Sequence, residues 1–173
     1  VILDKNYFDG LTISFKGITV DGRIIFEGKD GNTHAIETDA NTKVRYVDVN
    51  AENGTHVKVT NKGIVEGQMY GTASGENSRL EFINEGRSAN MIAHSYDGSS
   101  AKLQNDGLVE SMGGSPEGNT VYEIVNGENG TVTDEIGTIS HNGANVEIKN
   151  IGRTKDFFIV SQDADIRIIN DGE

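Results

Sequence analysis

One heptapeptide pattern, a short alternation of apolar and polar residues closed by Asn-x-Gly, constrains this chain more than any other feature. It stands as V-K-V-T-N-K-G at 57–63 and returns as L-E-F-I-N-E-G (80–86), A-K-L-Q-N-D-G (101–107), V-E-I-K-N-I-G (146–152) and I-R-I-I-N-D-G (166–172). A distorted copy, Y-E-I-V-N-G-E-N-G, occupies 122–130. The asparagines, Asn61, Asn84, Asn105, Asn126, Asn150 and Asn170, are spaced by 23, 21, 21, 24 and 20 residues. A period in this range is the mark of a solenoid or other repeat array, in which each turn packs only on its neighbours.

Two weaker copies extend the array toward the N-terminus. The segment L-T-I-S-F-K-G (11–17) puts Phe15 where Asn stands later, and A-I-E-T-D-A-N (35–41) puts Asp39 at the Asn position and Asn41 at the Gly position. Asp is the nearest relative of Asn, and Asn tolerates the left-handed region better than other non-glycine residues. Before these, the apolar run 1–10 ends in a turn; its Asp4-Lys5-Asn6 and Asp9-Gly10 lack the spacing of a calcium loop.

After each marker comes a second β-type run, such as V-R-Y-V-D-V (44–49) or D-F-F-I-V (156–160). A small, polar stretch of variable length follows, among them G-T-A-S-G-E-N-S (71–78) and G-G-S-P-E-G-N-T (113–120), read as loops on one edge. No segment carries the i, i+3, i+4, i+7 apolar spacing of a helix. The pattern predicts a single all-β domain over 1–173, a parallel β-helix of about eight turns of 20–24 residues. Stacked turns would place Asn61, Asn84, Asn105, Asn126, Asn150 and Asn170 in a hydrogen-bonded ladder, with Gly63, Gly86, Gly107, Gly152 and Gly172 supplying the sharp bend. The rival arrangement is an antiparallel sandwich in which Asn-x-Gly closes hairpins, but hairpins need no common period.

Composition fits a narrow rod. The 173 residues are 35% hydrophobic, with 22 Gly, one Pro and no Trp, and mean hydropathy is −0.44. A net charge of −12 repels phosphate backbones and anionic lipid. Neither nucleic-acid binding nor membrane insertion is therefore expected. With no cysteine, disulfides, zinc-thiolate sites and Cys nucleophiles are excluded. That absence suits a surface protein that stays unfolded while crossing an envelope, and equally a reducing compartment or chance. The chain opens on Val1-Ile2-Leu3 and closes just after an Asn-Asp-Gly element, so it reads as a fragment of something longer.

Motifs with chemistry are sparse. His34, His56, His94 and His141 fall in different repeats without a metal-ligand spacing, and read as solvated strand or turn residues. Glu66, Glu110, Asp134 and Asp163 fall in or near the second run of several turns, where a carboxylate stripe is the alternative to simple solvation. The triplets 53–55 and 129–131 fit the short N-glycosylation pattern. No catalytic, cofactor or metal residue is assigned.

Through its Asn-x-Gly copies, from Asn61-Lys62-Gly63 to Asn170-Asp171-Gly172, the chain resembles passenger regions of bacterial autotransporters and filamentous-haemagglutinin-like exoproteins, from about Gly17 onward. The resemblance implies a right-handed parallel β-helix secreted to the bacterial cell surface as an adhesin or stalk. Expected partners are then a host-surface glycan or protein, or flanking or sister β-helix segments packed end to end. The alternative is a polysaccharide lyase or hydrolase, or a tail-spike-like glycan-binding module, because the same fold carries all of these.

Overall fold

The computed structural model describes the backbone of residues 2–4 and the whole of residues 10–173, so most of the turn expected before residue 10 lies outside the described residues. Every period folds as a short strand, a corner, a long strand and a second corner. The short strands are β2 (Thr12–Phe15), β4 (Thr33–Thr38), β6 (His56–Asn61), β8 (Arg79–Asn84), β10 (Ser100–Asn105), β12 (Val121–Asn126), β14 (Asn145–Asn150) and β16 (Asp165–Asn170). The long ones are β3 (Thr19–Gly28), β5 (Lys43–Glu52), β7 (Ile64–Ser74), β9 (Arg87–Tyr96), β11 (Leu108–Glu117), β13 (Thr131–His141) and β15 (Arg153–Gln162), preceded by β1 (Ile2–Asp4). Long strands stack in chain order into sheet A and short strands into sheet B, eight in each, giving a β-solenoid of about seven turns.

Each strand pairing is parallel and joins one turn to the next, which removes the hairpin arrangement. Alternation of apolar and polar residues fixes which side of each strand faces in. From β6 to β14 the inward residues of sheet B are Val57 and Val59, Leu80 and Phe82, Ala101 and Leu103, Tyr122 and Ile124, Val146 and Ile148, none more than 3% exposed. A side chain the size of Leu80 or Phe82, fully withdrawn from water, contributes about 1.5–3 kcal/mol.

Sheet A answers these bulky residues with small ones. A Cβ at Gly71 would press on the side chains of Leu80 and Phe82 closer than 3.0 Å. Tyr122 reaches across the core to donate its hydroxyl to the Ala93 carbonyl oxygen at 3.0 Å, over Gly114. This complementarity explains why the glycine- and serine-rich stretches read as loops begin as strand: 71–74 belong to β7, and 113–117 to β11.

At the corner leading out of sheet A the chain turns with left-handed residues. Asn53-Gly54 (φ 55° and 76°) and Asn142-Gly143 (φ 52° and 80°) adopt the paired positive-φ geometry that Asn-Gly favours. The corner leading out of sheet B is different, because its Asn-x-Gly glycines are not among the positive-φ residues. Extra residues occur there too, at 39–42 and 127–130, so interval variation is shared between both corners rather than confined to one edge.

The last turn is less covered. The inward Ile168 of β16 is 49% exposed, whereas its registered neighbours Ile148 and Ile124 are fully buried. Both β15 and β16 lie at the ends of their sheets.

Candidate functional site

The six asparagines occupy one register position, the last residue of each short strand from β6 to β16. Asn61 Nδ2 donates to Asn84 Oδ1 at 2.8 Å, Asn84 to Asn105 at 2.9 Å and Asn105 to Asn126 at 2.9 Å. Asn126 donates to Asn150, and Asn150 to Asn170, both at 2.7 Å. All but Asn170 are at most 1% exposed. Their amides also serve corner carbonyls, as Asn84 Nδ2 does for Gly86 and Leu108. The Gly86 carbonyl oxygen also accepts from the Leu108 amide at 2.9 Å, so side-chain and main-chain donors share the corner acceptors.

Glycine follows for a reason other than a bend. At Gly63, Gly86, Gly107, Gly152 and Gly172 a Cβ would sit closer than 3.0 Å to main-chain oxygen of the previous turn, so the stacked corners leave room for hydrogen only. Gly130 does this in the distorted copy, at the register place of Gly107.

The expected place of Asp39 is corrected. Register aligns Phe15, Thr38 and Asn61, and Thr38 Oγ1 donates to Asn61 Oδ1 at 2.7 Å, so a hydroxyl heads the ladder. Asp39 lies one residue beyond and accepts from the Gly17 and Asn41 amides and the Thr42 hydroxyl, which hold its carboxyl below the usual value.

The other corner carries a row of small residues, Thr55, Ser78, Ser99, Thr120 and Ala144, each buried and each just ahead of a short strand. Thr55 Oγ1 accepts from the Asp30 and Gly31 amides of the turn before, and Ser78 Oγ from Gly54. Their constant place two residues before the first inward apolar residue is the sequence signal that marks this corner.

The histidines divide. His34 is not solvated: it faces the core at 1% exposure, accepts from the Leu11 amide at Nδ1, and pairs through Nε2 with Asp30 at 3.0 Å. His56 is half-buried, and burial lowers its pKa despite Glu81 nearby. His94 is half-buried among Tyr70 and Tyr96, at ring-centroid distances of 5.4 and 6.3 Å. Its Nδ1 is buried without a hydrogen-bond partner, and burial lowers its pKa. His141 is half-buried at the end of β13.

A carboxylate stripe does not form. Glu66, Glu110 and Asp134 fall at irregular points in the long strands, where Lys43 pairs with Glu66 at 2.6 Å and Lys155 with Asp134 at 3.2 Å. Asp163 lies at the opposite corner, with φ 56°. Among the described residues no three His, Asp or Glu side chains gather as metal ligands. Asn53 and Asn129, of the glycosylation-type triplets, are both exposed.

The two outer faces of the rod contrast. On sheet B, Lys58, Glu81, Lys102, Glu123, Glu147 and Arg167 share one outward row. Lys102 pairs with Glu123 there at 3.0 Å. On sheet A, Tyr70, His94 and Tyr96 cluster in mid-rod, and Ile139, Phe158 and Val160 stand 40–49% exposed toward the last turns. Between the two groups lies a trough of about 390 Å³ floored by Gly113 and Gly137.

Fold and face together define a two-sheet β-solenoid in which sheet B carries a row of charged residues and sheet A carries a local aromatic and apolar patch from mid-rod to the last turns. No protein-family model matches the chain, and neither a curated protein nor a solved structure is significantly similar to it.

Proposed function

We propose that this chain is a non-enzymatic rod segment of an extracellular adhesin or surface filament, making contact through the outer face of sheet A. The observation that carries the reading is the asymmetry of the faces. A row of charged residues keeps the middle of sheet B's outer face in water, whereas sheet A brings Phe158, Val160 and Ile139, each 40–49% exposed, side by side on adjacent strands. Contiguous apolar surface of this kind marks interaction sites. The in-register ladder supports the rod role, since each turn from Thr38 to Asn170 is locked to the next at the same corner.

A glycan array, read beside a reducing-end release assay on common polysaccharides, tests the proposal. Binding without turnover is the expected result. Release of reducing ends would establish the polysaccharide-active alternative, which ordinarily requires a pair of carboxylates about 5–9 Å apart. Glu135 is the carboxylate lining the trough.

A further inference from the structure

Gly137 is the least explained glycine in the fold. Glycine weakens a strand interior because it loses more freedom on folding and packs no side chain. The neighbouring trough glycines have steric causes. A Cβ at Gly113 would meet the Gly137 carbonyl oxygen, and one at Gly114 that of Ala93, both far inside contact distance. Gly137 has none: its φ is not in the left-handed region, and a Cβ there meets nothing nearer than 3.4 Å. What a side chain at 137 would do is fill the trough.

The register gives the trough its plan. Ile92, Gly113, Gly137 and Phe158 follow one another on four successive strands, so two glycine rungs lie between an aliphatic wall and an aromatic one. At one end stand Asn90, Ser111 and Glu135; at the other, His94 and Ser115. From Ser111 to Ser115 the strand advances about 13 Å. The result is an apolar floor and walls with hydrogen-bonding side chains at both ends.

We propose that this trough is a binding subsite for a neutral oligosaccharide, seating about two linked pyranose rings. This rests on the contact role proposed above. A pyranose has apolar C–H faces and hydroxyl edges. Its faces fit the glycine floor and the Phe158 ring, and its hydroxyls fit the side chains at the ends. An extended peptide suits the trough less well, because strand addition needs a free sheet edge. Here β9, β11 and β13 are interior strands whose main-chain groups serve the ladder. The net charge of −12, with Glu135 in the lining, disfavours uronic-acid or sulfated sugars.

The test titrates the protein with neutral hexose and N-acetylhexosamine trisaccharides, matched uronic-acid and sulfated trisaccharides, and an apolar heptapeptide. Affinity is read by calorimetry and location by amide chemical shifts. Neutral trisaccharides should bind and move the amides of Gly113, Ser115 and Gly137. Gly137→Val should weaken them roughly tenfold or more while keeping the wild-type unfolding midpoint. Phe158→Ala, a surface truncation, should weaken them as well, and Asn50→Ala, two turns away on the same face, should not. Saccharide binding untouched by both Gly137→Val and Phe158→Ala would overturn the trough assignment and leave the contact role standing. Preference for acidic sugars or the heptapeptide would overturn the ligand class. Failure of every trisaccharide to bind would overturn the subsite, while the contact role would be decided by cell-surface binding of the rod.

Discussion

Asn105 and Asn126, 21 residues apart in sequence, are joined side chain to side chain at 2.9 Å in a buried corner, where the Asn105 amide also reaches the Gly107 and Thr131 carbonyl oxygens. One side chain thus ties its own strand, its own corner and the following turn.

Asn105→Ala should therefore lower unfolding free energy by about 1–3 kcal/mol, because it removes the bonds to Asn84 and Asn126 and leaves the buried Asn84 amide one acceptor fewer. Urea denaturation measures the loss. In a double-mutant cycle with Asn126→Ala the two losses should be less than additive, since both remove the same bond. Full additivity would mean that the corner is held by packing alone.

Gly107→Ala and Gly137→Ala make a second comparison. The first places a Cβ against the Gly86 carbonyl oxygen and should cost about 1–3 kcal/mol, in the range of overpacking. The second makes only ordinary van der Waals contacts, at 3.4 Å and beyond, and should be neutral or slightly stabilising, through reduced freedom of the unfolded chain. Equal effects in denaturant titrations would contradict the different causes assigned to these glycines.

His94 should make stability depend on pH. Burial lowers its folded pKa below the ordinary 6.5, so the unfolded chain binds more protons in this range. Its contribution is present above about pH 6.5 and lost as pH falls through the lowered folded value. His56 acts in the same direction, also through burial. Denaturation midpoints of wild type and His94→Gln, taken from pH 7.5 to 5, isolate the first group: wild type should lose more on acidification. A variant that loses as much as wild type would remove His94 from the account.

Hydrogen exchange reads the last turn. The Asp165 and Asp171 amides bond to carbonyls of the preceding turn. By the alternation of a parallel ladder, the amides of Ile166, Ile168 and Asn170 point the other way. Protection in β16 should therefore alternate, while β10 is protected throughout. Uniform protection in β16, abolished by Ile168→Lys, would reveal a further turn or a second copy docked on that edge.

Much of this architecture was legible in residues 57–172, because a stacked corner needs the same amide and the same missing side chain at every level. The first copies were harder. Thr38 can head the ladder as well as an asparagine, through its hydroxyl, so Asp39 looked like the marker although two extra residues displace it. Strand lengths were obscured where Gly71 and Gly114 make room for Phe82 and Tyr122 of the facing sheet, a relation between layers that no local pattern encodes. The trough was hidden because its walls come from Ile92 and Phe158, three strands apart in one sheet and 66 residues apart in sequence. His34 misled because an imidazole with partners at both nitrogens can lie in a core.

The asparagine bonds all run one way, with each Nδ2 giving its proton to the turn that follows it in the chain. Aligned amide dipoles polarise one another, so the corner forms an electrically directed line from Thr38 to Asn170. An amide in this line has a carbonyl of its own corner within reach, but gains its asparagine acceptor only when the next turn has been laid down. Growth from the N-terminal side would leave one unspent donor at the advancing front, and each arriving asparagine would quench it and renew it. A polypeptide emerging from the N-terminus first would meet, at every step, a template that accepts one orientation of the incoming turn.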